Sequence, residues 1–440
     1  EAYGLDFDNY RRLEKLDLDI IISNSSGYVP NRLIKVPKFG VWSIIHSDIS
    51  INRGGYPGFW EVLLKTPVVT VLLIEIVNEC KKGRVIDSAH YNINSISVAI
   101  TNNIIKESSI SLLIKNLKMI NSPSLIEEQI IDYSALSLTA PLSAVLKYVF
   151  RFGCTYIKNI IRLKLSFSGI KKSHWTFFIG KGDFLKTDLI SLEPLKLPLG
   201  QFWADPFLFR FKDKLYVFFE NYSFDSEKGK ICCGRIDGNS VVEIVDVLNL
   251  EYHLAYPFVF EDENEIYMMP DTGNNNQLEI YRCIEFPDKW EIYTTKFSNE
   301  IVFDPFFHID SKGQRWLFVN KKMTRECDNS SELYIYKVDS VKMDNIVSHK
   351  KNPVLIDSRI ARNGGAIFEH NNKLYRPSQR NTKGIYGRAL NVNQIIKLDI
   401  DEYIEKNVKI IEPKFQKDMV SLHHLHQIDD FFVFDAAFER

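Results

Sequence analysis

Residues 204–220 read ADPFLFRFKDKLYVFFE, and the same design returns as AYPFVFEDENEIYMMPD (255–271), FDPFFHIDSKGQRWLFVN (303–320), NGGAIFEHNNKLYRPSQ (363–379) and HHLHQIDDFFVFD (423–435). Each unit is a polar residue, a β-branched and aromatic strand, a tight turn, a second strand and a closing polar residue. The unit starts lie roughly 50 to 60 residues apart, the spacing of one four-stranded propeller blade per unit. Residues 173–440 are therefore expected to form an all-β five-bladed propeller. Strand HWTFFIG (174–180) precedes the first unit and is expected to complete the last blade. That would close the ring and remove free sheet edges.

The fold then places the polar residues. The innermost strand of a blade starts near the axis and the second returns to the same face, so opening and closing residues share one mouth of the channel. The opening set is Asp205, Tyr256, Asp304, Asn363 and His423; the closing set is Glu220, Asp271, Asn320, Gln379 and Asp435. Arg362, Arg376 and the loop Tyr386-Gly387-Arg388 add positive charge. A ring of donors and acceptors over an apolar floor suits a saccharide. Opposed carboxylates suit acid/base work on a glycosidic or phosphoester bond. Asp205, Asp304, Asp271 and Glu220 are the candidate catalytic groups. Tyr256, Asn320, Arg362, Asn363, Arg376, Gln379 and His423 are the candidate substrate contacts. One Asp before Pro is often only a turn cap; two at blade starts on one face point to function. His424 and His426 alternate in a strand and share a face, but no Cys or carboxylate spacing reinforces a metal site. Hydrogen bonding is the expected role of His423, and neither a metal nor a cofactor is assigned.

Residues 1–120 read as an α/β domain. DNYRRLEKL is helical, LDIIIS (17–23) and GVWSIIH (40–46) are strands, PGFWEVLLK (57–65) is a helix and VVTVLLIEIV (68–77) is a further strand. Alternating strands and helices predict a parallel or mixed sheet. Residues 121–172 read as a helical connector, with 141–167 a long helix whose apolar residues are interrupted by Lys147, Arg151, Lys158, Arg162 and Lys164. That is a poor membrane span; packing between the domains is the expected role, and lying on an anionic bilayer surface is the alternative. In NRGGYPGFWEVL, Arg53 before Gly54 suits an oxyanion contact, and His46 ends an apolar strand.

The chain of 440 residues has room for two cores. A net charge of −1, with no basic run among aromatics, argues against nucleic-acid binding. The six cysteines show no metal spacing. With no signal peptide, reduced thiols in a cytoplasm are expected, with peripheral membrane contact through 141–167.

WADPF (203–207), YPFVFEDENEIYMMPD (256–271), FDPFF (303–307), RNGGAIFEHNNKLYRPSQ (362–379) and YG (386–387) resemble the propeller of the glucosamine inositolphosphorylceramide transferase N-terminal type. More distantly they resemble arabinanase- and fructosidase-like glycosidase propellers. The resemblance implies a propeller that binds or acts on carbohydrate in glycolipid or surface-polysaccharide assembly. It also implies Asp205 as general base, Asp304 as the group that tunes pKa, and Asp271 or Glu220 as acid. Residues 40–86 are similar to the core of folate-dependent formyltransferases, with His46, Arg53, Gly54, Pro57 and Trp60 in register. The family's catalytic Asn and Asp are replaced by Ile44 and Lys81, which can neither stabilise an oxyanion nor orient a histidine. The resemblance thus implies a partial formyltransferase-like fold more than its activity. The expected function is a sugar transferase acting on a saccharide or glycolipid. The alternatives are a noncatalytic carbohydrate-binding scaffold and a sugar N-formyltransferase.

Overall fold

A computed structural model describes residues 7–23, 28–52, 54–121, 129–134, 139–167 and 173–439. It divides into two compact units, Glu1–Ile160 with Glu326–Asp328, and Ile161–Arg325 with Asn329–Arg440.

The first unit is built on a mixed sheet. Its elements are α1 (Phe7–Glu14), β1 (Ile21–Ser23), α2 (Asn31–Ile34), β2 (Val41–Ile45), α3 (Phe59–Leu64), β3 (Val69–Asn78), β4 (Lys82–Tyr91), α4 (Val98–Lys118), β5 (Ile130–Asp132) and α5 (Leu142–Phe167). The strand order is β1-β2-β3-β4-β5, with β1 parallel to β2 and the other pairs antiparallel. Val41, Ile45, Ile74, Ile76, Val85 and Ile131 form a buried cluster, which is why the β-branched run of β3 becomes the central strand. Ser97 caps α4, its Oγ accepting from Ile100 N at 3.2 Å. The sequence reading ended this domain at 120, whereas β5 lies beyond it and pairs with β4. Three short residues have no side-chain pattern long enough to announce a strand. Arg53 lies outside the described residues.

The second unit is five sheets. Strand β6 (Ser173–Lys181) comes first in the chain, and blade one follows with β7 (Gln201–Phe211), β8 (Lys214–Ser223), β9 (Lys228–Asp237) and β10 (Ser240–Leu248). Blade two comprises β11 (Ala255–Asp262), β12 (Glu265–Asp271), β13 (Leu278–Glu285) and β14 (Lys289–Lys296). Blade three comprises β15 (Ile301–Ile309), β16 (Arg315–Lys322), β17 (Glu332–Val338) and β18 (Ile346–Ser348), with β19 (Leu355–Ile356) also paired to β17. Blade four comprises β20 (Phe368–His370), β21 (Lys373–Thr382), β22 (Ile385–Leu398) and β23 (Tyr403–Ile411). In blade five, β24 (Met419–Ser421) and β25 (Leu425–Ile428) pair with one side of β26 (Phe431–Glu439), while β6 pairs with its other side from Ser173 to Lys181. The expected closing strand is thus β6. Bonds between blades join the ring: Tyr256 N donates to Asp205, Asn363 Nδ2 to the Asp304 carbonyl, Leu425 N to the Gly364 carbonyl, and Asp205 N to Asp435. The β11 and β15 strands touch as well.

Three blades open on the same backbone device. Asp205, Tyr256 and Asp304 have φ of 50°, 48° and 48°, each at a register shift of its inner strand and each before a proline. Proline has no N–H for the ladder and disfavours helical backbone in the residue before it. The strand therefore bulges, and a left-handed non-glycine residue, costing on the order of 1 kcal/mol or more, re-aims its side chain. Asp-Pro here is a sorting device as well as a cap.

Candidate active site

One cavity of about 400 Å³ lies within the second unit. Its charged wall is Asp205, Glu220, Asp271, Asp304, Arg362 and His423, with Lys322 and His253 at the side. Its aromatic wall is Trp175, Phe202, Tyr222, Phe303 and Tyr386. All four candidate catalytic carboxylates meet there, brought from strands β7, β8, β12 and β15.

Each carboxyl sits in a different field. Burial alone would raise Asp205, but the positive charge of His423, with His424 and Arg362, overrides this and holds it down at about 2. Its Oδ1 lies 3.8 Å from His423 Nε2 and 3.5 Å from His424 Nδ1. His423 is clamped from its other side, with Nδ1 2.8 Å from Asp435 Oδ1. Burial would lower the imidazole, yet the neighbouring Asp435 and Asp205 outweigh it and raise the His423 pKa above its ordinary value. Trp175 stacks on it, centroids 4.1 Å apart. Glu220 is pushed well up by burial and by Asp205, Asp271 and Asp435. Asp271 is raised to about 7 by burial and the Asp304 charge, although the Gly273 N–H and Arg362 favour its anion. Asp304 is raised by burial and pulled back by Arg362, whose Nε donates to Oδ2 at 2.6 Å. The funnel therefore sets an Asp205 held low beside a Glu220 and an Asp271 pushed up, the pattern that divides base from acid.

The remaining sequence candidates do not line the cavity. Asn320 donates to the Glu332 and Ala361 carbonyls and accepts from Asn363 N. Asn363 accepts from Arg376, and Gln379 donates to the Asn363 carbonyl at 3.1 Å. Tyr256 passes behind the wall, its hydroxyl accepting from Gly365 N at 3.1 Å. Arg376 is fully buried on Glu405. They were expected in the funnel, and instead they brace the blades behind it. The reason is depth: Tyr256 on β11, Asn320 on β16, Asn363 ahead of β20, and Arg376 and Gln379 on β21 are all buried, where polar groups need protein partners. Residues that the blade pattern missed are Trp175, which closes the ring, and Tyr222, which shares Glu220's face two positions on. His253 carries no sequence signal; its Nδ1 accepts from Gly229 N at 2.9 Å, and its Nε2 is 3.5 Å from Glu220.

Among the described residues, Asp205, His423 and Asp435 are close enough to share a metal ion. The 2.8 Å Nδ1–Oδ1 separation is a hydrogen-bond length, which fits a shared proton. His426 accepts from Leu208 N at 3.0 Å and burial takes it down to about 3, so it stays neutral.

In the first unit, His46 Nε2 is 2.9 Å from Ser109 Oγ, and burial with the Lys106 charge takes its pKa down to about 4. Gly54 N donates to Asn52 Oδ1, and its carbonyl accepts from Trp60.

A pH test follows from Asp271. Its folded pKa is raised above that of an unfolded carboxyl, so the stability it contributes is present at low pH and is lost as pH rises through about 7. Asp271→Asn is expected to flatten this loss relative to the parent in denaturant melts taken on either side of neutrality. Parallel pH profiles would show that Asp271 is ionised throughout.

The fold and site define a five-bladed propeller with an acid-lined, aromatic-walled funnel. A family model described as glucosamine inositolphosphorylceramide transferase 1, N-terminal, matches residues 196–431, and the chain belongs to that family. It is 34% identical over 236 residues to glucosamine inositolphosphorylceramide transferase 1 of Oryza sativa subsp. japonica, covering 52% of this chain and 31% of the relative. It is 34% identical over 213 residues to the Arabidopsis thaliana protein of the same name, covering 48% and 27%. The chain thus spans less than a third of the length of these relatives. A thermostable family-43 glycoside hydrolase superposes at TM-score 0.40 and 12% identity, covering 54% of this chain and 88% of that one. An endo-arabinase from Bacteroides thetaiotaomicron superposes at 0.39 and 13%, covering 56% and 96%.

Proposed function

We propose that the funnel binds the sugar of a glycolipid or surface-polysaccharide precursor and takes part in its transfer. The observation that carries this reading is the cavity itself, in which Asp205, its pKa held low, and Glu220, its pKa raised, share one aromatic-walled space. Asp205 is the group to accept a proton from an attacking hydroxyl, and Glu220 or Asp271 the group to supply one to a leaving oxygen. Arg362 balances the charge on Asp304 and leaves Asp205 as the base. The name of the curated relatives supports the glycolipid context.

A second reading, a carbohydrate-binding scaffold without turnover, draws on the Asp304–Arg362 ion pair, in which both carboxylate oxygens are engaged. We read the first unit as a formyltransferase-like scaffold without formyl transfer, since Ile44 and Lys81 stand at the altered positions and His46 is neutral and hydrogen-bonded.

Calorimetric titration with sugar nucleotides, sugar phosphates and oligosaccharides tests the saccharide site. Binding is expected for at least one class and should weaken several-fold in Tyr222→Ala, which removes an aromatic wall. Failure of all three classes, or binding indifferent to Tyr222, overturns the reading.

A further inference from the structure

Helix α5 is bare where a buried helix would be covered. Leu142, Leu146, Val149, Phe150, Ile157 and Ile160 are all exposed, Leu142 at 73% and Phe150 at 72%. At 100° per residue these six fall within about a third of the helix circumference, so they form one continuous stripe. A monomer rarely leaves such a stripe to water. Another face is already occupied: Ala144, Val145 and Tyr148 pack with Phe59 and Leu63. Arg151 donates to the Leu63 carbonyl. Among the described residues the helix is therefore held on one side and open on another.

The charge on α5 selects the occupant. From Leu142 to Phe167 the sequence has five basic residues and no acidic one. Lys147 and Lys158 are exposed and sit together at one border of the apolar stripe. A second copy of the same helix would set positive against positive. An anionic lipid surface offers both an apolar layer for the stripe and negative headgroups for the lysines, whose long stems can reach outward from the stripe. No helix among the described residues is long and apolar enough to cross a membrane, so the geometry is that of a helix lying in the interface plane.

We propose that α5 is an interfacial anchor whose apolar stripe seats in an anionic bilayer surface, with Lys147 and Lys158 at its border facing the headgroups. This is independent of what the funnel binds.

Co-sedimentation of the full chain with phosphatidylcholine vesicles, with and without phosphatidylserine, tests it. Binding is expected to require phosphatidylserine and to weaken with added salt. Lys147→Glu with Lys158→Glu should lower partitioning by at least about fivefold for each charge removed. Phe150→Asp with Ile157→Asp should lower it by at least tenfold, since each loses the burial of a large side chain. All four positions are exposed, so thermal melts are expected to match the parent. Absence of binding to phosphatidylserine vesicles overturns the proposal, as does binding unchanged in the Phe150/Ile157 variant. Light scattering that shows a dimer dissolved by that same variant would assign the stripe to a second copy instead.

Discussion

Asp205→Asn is expected to reduce sugar-transfer turnover by about 10³-fold while saccharide affinity changes only a few-fold. The amide keeps the size of the side chain and can still accept from Tyr256 N, which lies 3.3 Å from Oδ2. What it loses is the negative charge held in place beside His423 and Arg362. The same change removes the Asp205 charge that helps to raise the His423 pKa, so the imidazole pKa should also fall, visible as a shift in its NMR titration. Steady-state rates with affinity measured separately decide the matter. A lost affinity with no turnover in the parent would favour the scaffold reading, and unchanged turnover would remove Asp205 as the base. Melting the variant beside the parent guards against a folding defect.

Arg376→Ala is expected to cost the propeller about 3–5 kcal/mol, the range for leaving one partner of a buried ion pair alone. Arg376 is 0% exposed and Glu405 3% exposed. The guanidinium donates to Glu405 through Nε at 2.9 Å and Nη2 at 2.7 Å, to the Ile360 carbonyl at 2.6 Å and to Asn363 Oδ1 at 3.1 Å. Every one of these acceptors would be stranded together. Replacing Arg376 and Glu405 both by Met should recover much of the loss, because no unpaired charge then remains. Denaturant unfolding of the parent and the two variants measures this. A cost below about 1 kcal/mol for the alanine would mean that water reaches the pair, contrary to its burial.

These two residues mark what could be read in advance. The blade repeat announced the five sheets because strand periodicity, turn residues and a fixed spacing all agree. It also placed Asp205, Glu220, Asp271 and Asp304 in one cavity, since a position counted along a strand fixes the face and the end of the blade. Depth was not legible. Arg376 and Arg362 differ by only fourteen positions in sequence, yet one anchors the interior on Glu405 and the other reaches the funnel on Asp304. Partner choice between strands 29 and 58 residues away has no local signature. The raised pKa of Glu220 was hidden for the same reason, because two of the three carboxylates that raise it, Asp271 and Asp435, come from other blades. In the first unit the long strand run of β3 was plain, and the three residues of β5 were not.

Blade five is stitched from both ends of the propeller segment, with β6 along one side of β26 and the broken pair β24 and β25 along the other. Asp205 N donates to Asp435 across 230 residues, and His423 belongs to the same blade-five segment. Without β26 the β6 strand would lose its whole ladder and the Asp205 N–H its acceptor. The aim of the Asp205 side chain therefore depends on the seam where the first and last blades meet.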